Sequence, residues 1–275
     1  MFCAVFWNIG GKSHRQGIVR LITALQRQED ADVIALAECD KAVLGNVLRW
    51  LNSNGKTEWT WITTNSRVQV LARTARMEVL ESGSHKYSSL LEIRRKRAVK
   101  LRLAVSHMVS RVRKEFDDVD RELGQFAELI RTSEAKHKHD NTIVLGDLNA
   151  NPFSDGVVTA RGLHAVMSRA VAEQGSRQVS HRDWPYFFNP MWQFFGDGAA
   201  APPGTCYYPP EGSHKAFHWN TFDQVLIRPN LLQYYSQDSV RIIHALGSEL
   251  LSRANWVPDR DVASDHFPIR IRLDC

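Results

Sequence analysis

Polar side chains that could bind a cation or transfer a proton lie at the downstream ends of apolar, strand-like runs. These residues are Asn8, Glu38, His107, Asp147, Asn149, Asp223, Asp265 and His266. Because each lies where the chain leaves the core, adjacent strand ends would bring them together in one acidic mouth. Carboxylate and amide oxygens suit Mg²⁺ or Mn²⁺, and neutral imidazole suits acid–base chemistry. The pattern predicts a metal-dependent active site.

Other residues of suitable chemistry have a simpler structural interpretation. His137 and His139 have a spacing that could suit a metal, but a solvated loop before a buried strand explains them better. Cys39 directly follows Glu38, and its side chain should alternate into the core. A single Asp or His at a strand end is more often a turn former than a catalyst, so position alone identifies no catalytic residue.

The strands and helices that must position these residues alternate along the chain. Runs rich in β-formers predict strands over residues 2–8, 32–37, 90–93, 98–106, 142–145, 222–227 and 267–273, the last two being the final strands. Apolar residues at three- and four-residue spacing predict amphipathic helices over residues 15–28 and 115–136. The β-α-β order near the start implies neighbouring strands packed on a helix.

A basic run, RRKR at residues 94–97, joins two of the predicted strands into a hairpin. In the second strand Lys100 and Arg102 alternate with leucines, which predicts one polar face and one core face. The run could neutralise nucleic-acid phosphates through counterion release. A solvated hairpin tip explains it equally well.

Composition indicates a folded protein with a mild preference for anionic partners. The chain has 275 residues, of which 43% are hydrophobic and 24% charged, and its formal net charge is +5. No repeat or linker divides it, so we expect a single domain over residues 1–275, with an irregular insertion rich in aromatics and proline at residues 184–219.

The compartment follows from cysteine usage and from the absence of targeting patterns. The four cysteines show no CxxC pair, so the sequence predicts reduced thiols rather than disulfides or structural zinc. The start lacks the basic region and longer apolar stretch of a signal peptide, and no later run could span a bilayer. We therefore expect a cytoplasmic protein without a membrane span.

Six short motifs occur in an order that resembles the endonuclease/exonuclease/phosphatase superfamily, which includes the pancreatic-type deoxyribonucleases. They are WN at 7–8, ALAE at 35–38, SH at 106–107, GDLN at 146–149, DQV at 223–225 and SDH at 264–266. Any one of them arises by chance in unrelated proteins, but six in order are specific. The resemblance implies an α/β fold, a four-layer sandwich of two packed mixed β-sheets flanked by helices.

The resemblance also implies a metal site and the residue that activates water. Glu38 would be the principal ligand of Mg²⁺, with Mn²⁺ as a substitute, and Asn8 and Asp265 would be ligands or water-mediated supports. Asp147 and Asn149 would orient and deprotonate the attacking water. The cation would neutralise the phosphate and the charge on the leaving oxygen.

Two histidines complete the site that the resemblance implies. His266 would face the scissile phosphate, and Asp223 would hold its ring and raise its basicity. His107 would be a second imidazole near the leaving group, acting as general acid or as a donor to a phosphate oxygen.

One departure from the family pattern concerns a phosphate contact. Many members carry an arginine in a RIDYV stretch, but this chain reads Thr221-Phe222-Asp223 there. Arg67 or Lys12 could supply a phosphate contact instead.

These features favour an Mg²⁺-dependent phosphodiesterase, with a nuclease acting on DNA or RNA as the leading hypothesis. The basic balance and the RRKR run favour nucleic acid. The main alternative is a phosphatase or phosphodiesterase of a small ester such as an inositol phosphate, a nucleotide or a sphingolipid head group. A non-catalytic binding module of the same fold is the second alternative, and the sequence leaves protein partners open.

Overall fold

The computed structural model of the chain describes residues 1–11, 17–53, 55, 57–109, 116–196, 202–209 and 217–275. Two large mixed β-sheets pack face to face, and helices cover their outer faces. The four-layer α/β sandwich expected from the sequence is thus confirmed. Strands are numbered β1–β19 and α-helices α1–α5 in chain order.

The first sheet has the strand order β16-β19-β1-β2-β4-β3. Its strands are β1 (Phe2–Asn8), β2 (Val33–Ala37), β3 (Thr60–Ile62), β4 (Gln69–Ala72), β16 (Val240–Ile242) and β19 (Ile269–Leu273). Strand β1 is buried along its whole length because it pairs parallel with β2 and antiparallel with β19. A strand covered on both faces reads as a continuous apolar run.

The second sheet has the strand order β5-β6-β7-β8-β15-β12-β9. Its strands are β5 (Glu78–His85), β6 (Ser88–Arg94), β7 (Leu101–His107), β8 (Thr142–Asp147), β9 (Ala165–Val166), β12 (Phe187–Phe188) and β15 (Asp223–Ile227). Strands β6 and β7 form the predicted antiparallel hairpin, while β7 and β8 run parallel and β15 returns antiparallel to β8.

The remaining strands form three small ribbons. Their members are β10 (Ser176–Val179) with β11 (Arg182–Pro185), β13 (Cys206–Tyr207) with β14 (Trp219–Asn220), and β17 (Ala245–Leu246) with β18 (Glu249–Leu250). The prediction that residues 222–227 and 267–273 hold the last two strands is therefore wrong, since β16, β17 and β18 lie between them. These strands have two or three residues each, too few for a periodic pattern to identify.

Helices form the two outer layers. They are α1 (Ile18–Glu29), α2 (Lys41–Leu51), α3 (Phe116–His137), α4 (Asp155–Val158) and α5 (Arg169–Ala172), with 3₁₀ helices at Pro190–Phe194, Pro229–Tyr234, Gln237–Ser239 and Ala254–Trp256. Apolar residues of α1 join the core of the first sheet, whereas Leu123, Phe126 and Ile130 of α3 pack on the outer face of the second. The amphipathic stripes thus face the sheets as predicted.

Helix α3 explains an error in the prediction for β7. Arg102 was expected on a polar face, but its side chain is 0% exposed. Its Nε donates to Glu92 Oε1 at 2.7 Å, and its Nη2 donates to the Ser133 carbonyl of α3 at 3.3 Å. The face that would be polar in an open sheet is covered by a helix, so charged residues there must be paired internally.

His139 and the basic run also differ from expectation. His139 lies in the loop before β8 as predicted, but its Nε2 lies 2.8 Å from Glu92 Oε2 in the same network and its side chain is largely buried rather than solvated. The run at residues 94–97 lies at the start of β7, and Arg95 donates to the Met1 and Cys275 carbonyls. His107 ends the same strand, about 20 Å away at 3.3 Å per residue. The basic run therefore does not border the strand ends where the predicted site residues lie.

Candidate active site

Strand direction brings the predicted site residues to one edge of the sandwich. Asn8, His107 and Asp147 are the last residues of β1, β7 and β8, and Glu38 directly follows β2. Asp223 is instead the first residue of β15, and Asp265 and His266 precede β19, so these three lie at upstream ends rather than at the predicted downstream ends. Because β15 and β19 run antiparallel to β8 and β1, the first residues of one meet the last residues of the other.

Asp147 is the most tightly held carboxylate of this edge. Its Oδ2 accepts a hydrogen bond from Asn8 Nδ2 at 3.0 Å, and its Oδ1 accepts from the Asn149 backbone N–H at 2.8 Å. Asn149 adopts a left-handed backbone with φ 47° and donates from Nδ2 to the Met108 carbonyl at 3.0 Å. Asparagine tolerates this conformation well, which explains its place in the GDLN turn.

The glycine of the same motif is required by close packing between strands. A Cβ added to Gly146 would lie 2.1 Å from the Ser106 carbonyl oxygen on β7. No side chain fits within that distance, because the neighbour is backbone that cannot move without breaking the β7–β8 pairing. Gly146 therefore sets the approach of the strands that end at His107 and Asp147.

Asp223 and His266 form a buried ion pair beside Asp147. His266 Nδ1 donates to Asp223 Oδ2 at 2.8 Å, and the Asp223 backbone N–H donates to Thr205 Oγ1 at 3.1 Å. Burial raises the pKa of Asp223, to which the Asp147 charge adds. Burial alone would lower the pKa of His266, but the Asp223 carboxylate raises it well above its usual value. The Asp223 carboxylate, together with the neighbouring Cys206, therefore favours the protonated form of the ring.

Glu38 and His107 extend this cluster toward solvent. Glu38 Oε1 lies 3.6 Å from His107 Nε2, which in turn lies 4.0 Å from Asp147 Oδ2. Glu38 has a left-handed backbone with φ 52°, unusual for a long side chain, and a Cβ on Gly11 would lie 3.6 Å from its Oε2. Such conformations persist where the surrounding structure imposes them, often at functional sites.

The donor set fits a hard divalent cation. Carboxylate oxygens of Asp147 and Asp223 lie within 4.8 Å of each other and of a His266 ring nitrogen, and the Glu38 carboxylate lies 3.6 Å from His107 Nε2. Among the described residues, Asp223 Oδ1 and His107 Nδ1 are buried without a hydrogen-bond partner. Carboxylate and amide oxygens in excess of cationic side chains are the environment that Mg²⁺ and Mn²⁺ occupy in proteins.

Asp265 lies next to this cluster and forms an ion pair with Arg260. Its Oδ2 is 3.3 Å from Arg260 Nη2, and its Oδ1 accepts from Ser264 Oγ at 3.3 Å. Ser264 Oγ also contacts the Asn8 carbonyl at 2.7 Å, so the SDH turn is fixed to the end of β1. Asp265 and Arg260 line a cavity of about 370 Å³ beside the site.

Of the two candidate phosphate contacts, Arg67 alone lies within the described residues. Arg67 is exposed and its guanidinium lies 5.0 Å from the ring centre of Tyr87, whose carbonyl accepts from the His107 backbone N–H at 2.9 Å. Arg67 is therefore close to the end of β7 but touches none of the clustered acids or histidines. Lys12 lies outside the described residues.

Supporting residues from distant segments were not predicted. Trp7 Nε1 donates to the His266 carbonyl at 2.9 Å, Thr205 holds the Asp223 backbone, and Cys206 forms a β-bridge with His266. Trp7 belongs to the WN motif, so the sequence marked its position. Thr205 and Cys206 lie in the irregular segment 184–219, where neither periodicity nor a motif marks them.

Comparison with known proteins assigns the family. The model of the Endonuclease/Exonuclease/phosphatase family matches residues 5–266, which confirms the resemblance. The chain belongs to this family. Its members are phosphoesterases that generally depend on a divalent metal, in agreement with the carboxylate-rich edge. No curated protein matches the sequence significantly.

Solved structures with the same fold include several family enzymes. The 3′ phosphatase NExo from Neisseria, bound to a product DNA hairpin, aligns at 13% identity and TM-score 0.59 over 100% of both chains. A humanised D. rerio TDP2 aligns at 16% and 0.57 over 100% of this chain and 99% of that one. The human Nocturnin catalytic domain with bound sulfate aligns at 12% and 0.55 over 98% and 93%. These likenesses establish the fold.

No helix in the described part of this phosphoesterase is both long and apolar enough to cross a lipid bilayer.

Proposed function

We propose that the protein is an Mg²⁺-dependent phosphodiesterase that hydrolyses DNA or RNA. One observation supports this most strongly: residues scattered from position 8 to position 266 converge on a single acidic cluster with an imidazole on each side. Glu38, His107 and Asp147 form a chain of contacts of 3.6 and 4.0 Å, and the Asp223–His266 pair adjoins Asp147. Activated water and phosphate oxygens need this combination of bases and protonated donors.

Glu38, Asn8 and Asp265 would hold the cation. Glu38 presents a carboxylate to solvent, and the Asn8 amide oxygen accepts only the Gly10 N–H at 3.0 Å among the described groups. Asp265 retains lone pairs beyond those engaged by Arg260 and Ser264. A cation bound there supplies neutralisation of the phosphate and of the negative charge on the leaving oxygen.

Asp147 accepts the proton of the attacking water in this mechanism. Hydrogen bonds from Asn8 and Asn149 fix both of its oxygens, so the remaining lone pairs point in defined directions. Asn149, turned by its left-handed backbone, helps to orient the water. Fixing the base in advance removes an ordering cost from the reaction.

The two histidines act on the phosphate. His266, held and charged by Asp223, donates a hydrogen bond to a phosphate oxygen and stabilises the charge that develops on it. His107, near Glu38 and Asp147, donates a proton to the leaving oxygen. Together they place cationic or donor groups on either side of the reacting phosphorus.

Nucleic acid is the substrate class that we favour. The net charge of +5 supports an anionic partner. Among similar folds, NExo is described with a product DNA hairpin. Hydrolysis of a small phosphate ester is the alternative, because the same chemistry would serve both.

We also propose a cytoplasmic location and inert cysteines. The four cysteines, Cys3, Cys39, Cys206 and Cys275, are free thiols. Burial raises the pKa of Cys3 and of Cys39 to about 12, so neither is a reactive thiolate at neutral pH. Reduced, unreactive thiols are typical of the cytoplasm.

The proposal is tested with purified protein, a substrate panel and metal control. Plasmid, single-stranded DNA, RNA and small esters, including inositol phosphates and nucleotides, are incubated with Mg²⁺, Mn²⁺ or chelator. We expect cleavage of the polymers only when a metal is present. Phosphate release from small esters alone would establish the alternative, and no turnover of any substrate would leave only the binding module.

A further inference from the structure

Four aromatic side chains form an exposed cluster, here called the aromatic platform: Phe153, Trp192, Phe195 and Phe217. The ring centre of Phe153 lies 6.3 Å from that of Trp192, 6.1 Å from Phe195 and 5.5 Å from Phe217. Phe153, Phe195 and Phe217 are 40%, 36% and 48% exposed. Contiguous exposed apolar surface of this kind marks a binding site more often than a folding requirement.

Short chain segments connect the platform to the strands that carry the candidate active site. Phe153 follows Asp147 by six residues and Phe217 precedes Asp223 by six, so each lies within about 20 Å of the site along the chain. The segments are tied together by Asn151, whose Nδ2 donates to Asn220 Oδ1 at 2.9 Å and whose Oδ1 accepts from the Thr221 N–H at 2.8 Å. The segment that carries Phe153 is therefore tied to the segment that follows Phe217 and leads to Asp223.

The part of the platform that carries Trp192 is anchored to the core. The 3₁₀ helix Pro190–Phe194 that carries Trp192 is anchored by the core residues Met191 and Phe194, and Asn189 caps it by accepting from the Met191 N–H at 3.0 Å. Trp192 and Phe195 pack at 5.3 Å between centres. A preorganised aromatic surface binds a flat partner without first having to be ordered.

We propose that the platform stacks a base of a single-stranded nucleic acid whose backbone phosphate occupies the acidic site. This inference rests on the proposed function and narrows its substrate class. A nucleotide joins a phosphate to a flat aromatic ring, whereas an inositol phosphate has no aromatic ring to stack. Every base offers a π-face, so stacking of this kind binds many sequences. Bases inside a duplex are covered on both faces, so the platform favours unpaired strands.

A binding comparison tests the inference without relying on catalysis. The dissociation constants of labelled oligodeoxythymidine and of an abasic oligonucleotide of equal length are measured by fluorescence anisotropy in chelator. We expect wild-type protein to bind the base-containing strand more tightly. Phe153→Ala and Phe217→Ala should each reduce this preference about fivefold or more, the range measured for single base–aromatic stacks.

Control variants separate stacking from general apolar contact and from misfolding. Phe153→Tyr keeps the ring and should retain most of the preference, whereas Phe153→Leu keeps apolar area but loses the π-face and should behave like Phe153→Ala. Leu80→Ala removes a side chain that is 50% exposed on β5 and should leave the preference at the wild-type value. Thermal unfolding of each variant verifies that it is folded.

Two results would overturn the inference. One is an unchanged preference for bases in both Phe→Ala variants. The other is loss of binding to phospholipid vesicles in those variants while the oligonucleotide preference stays intact, which would make the platform a lipid-contacting surface. Failure of wild-type protein to cleave any oligonucleotide with Mg²⁺ or Mn²⁺ would instead refute the proposed nuclease, and base-dependent binding could still be measured.

Discussion

The two ends of strands β7, β8 and β15 bury charged side chains in opposite ways. At the end remote from the candidate site, each buried acid has a cationic partner. Arg102 Nε donates to Glu92 at 2.7 Å, and Arg228 donates from Nε and Nη2 to the two oxygens of Glu134, both at 2.9 Å. Paired in this way, the charges specify how α3 docks on the sheet without leaving a net charge inside.

At the site end, acids outnumber their partners. Asp147 and Asp223 are opposite one another in the β8–β15 register, His266 Nδ1 lies 2.8 Å from Asp223, and His107 Nε2 lies 4.0 Å from Asp147. Glu38 has His107 at 3.6 Å. Like charges held this close destabilise the fold unless a cation or proton joins them. Buried charges therefore stabilise the fold at the remote end, whereas at the site end they leave negative charge that a bound cation can neutralise.

Removal of site residues should give the largest effect on activity. We expect Asp147→Asn and His266→Gln to lower kcat/KM by about three powers of ten or more, because each removes a group that acts on the reacting atoms. Urea unfolding should show no loss of stability for Asp147→Asn, since a like-charge contact disappears. Asp183→Asn, on the exposed part of β11, serves as the matched control. Equal loss of activity in that control would contradict the assignment.

Breaking the remote ion pair between Arg228 and Glu134 should instead lower the stability of the protein. Arg228→Met leaves the Glu134 carboxylate buried without its cation, and we expect a loss of about 3–5 kcal/mol in the free energy of unfolding. The double variant Arg228→Met with Glu134→Leu should recover most of this loss, because no charge then remains buried. Urea denaturation of both variants measures the difference. A double variant as unstable as the single one would show that the pair is not the stabilising unit.

Added Mg²⁺ should stabilise the protein, and this stabilisation should depend on residues of the site end only. Mg²⁺ at a hundredfold excess over its dissociation constant should raise the stability of wild-type protein by about 2.7 kcal/mol, as any ligand of the native state does. Glu38→Gln should weaken this response strongly, while Glu78→Gln, on exposed β5, should leave it intact. Thermal unfolding with and without Mg²⁺ gives the shift. A full response in Glu38→Gln would place the cation elsewhere.

The smallest effect concerns the proton on His266. Because Asp223 raises the pKa of this histidine above 6.5, the pair stabilises the fold fully below pH 6.5, and that contribution disappears as pH rises through the native pKa. Asp223→Asn should move the titration of the His266 ring to lower pH, by about one unit or more. Ring-proton NMR in chelator follows it directly, with His137 as an internal reference. An unmoved titration would show that Asp223 does not hold the charge.

The site could be predicted from sequence where a motif marks the end of a strand. The residues Asn8, Glu38, His107 and Asp147 end or follow continuous apolar runs, and the parallel pairings β1–β2 and β7–β8 place their ends at one edge. Asp223 and His266 are also marked by the motifs DQV and SDH, although they lie at upstream ends of antiparallel strands and not at the downstream ends that were expected.

Other features depend on contacts that no local pattern encodes. Alternation in β7 suggested solvent beside Arg102 because the sequence does not show that α3 covers that face. The pairing of Asp265 with Arg260 and the contact of Thr205 with Asp223 join segments without periodicity. The aromatic platform likewise assembles from three separate segments, so its rings were visible in the sequence but their grouping was not.

Anomalous diffraction from a crystal of the protein grown with Mn²⁺ would locate the cation on which the difference between the two ends depends. We predict a single strong peak within bonding distance of the Glu38 carboxylate and next to Asn8, with none beside Glu92 or Glu134. A peak at another part of the surface, or no peak near Glu38 at saturating Mn²⁺, would contradict the proposal that this acid-rich edge binds a metal.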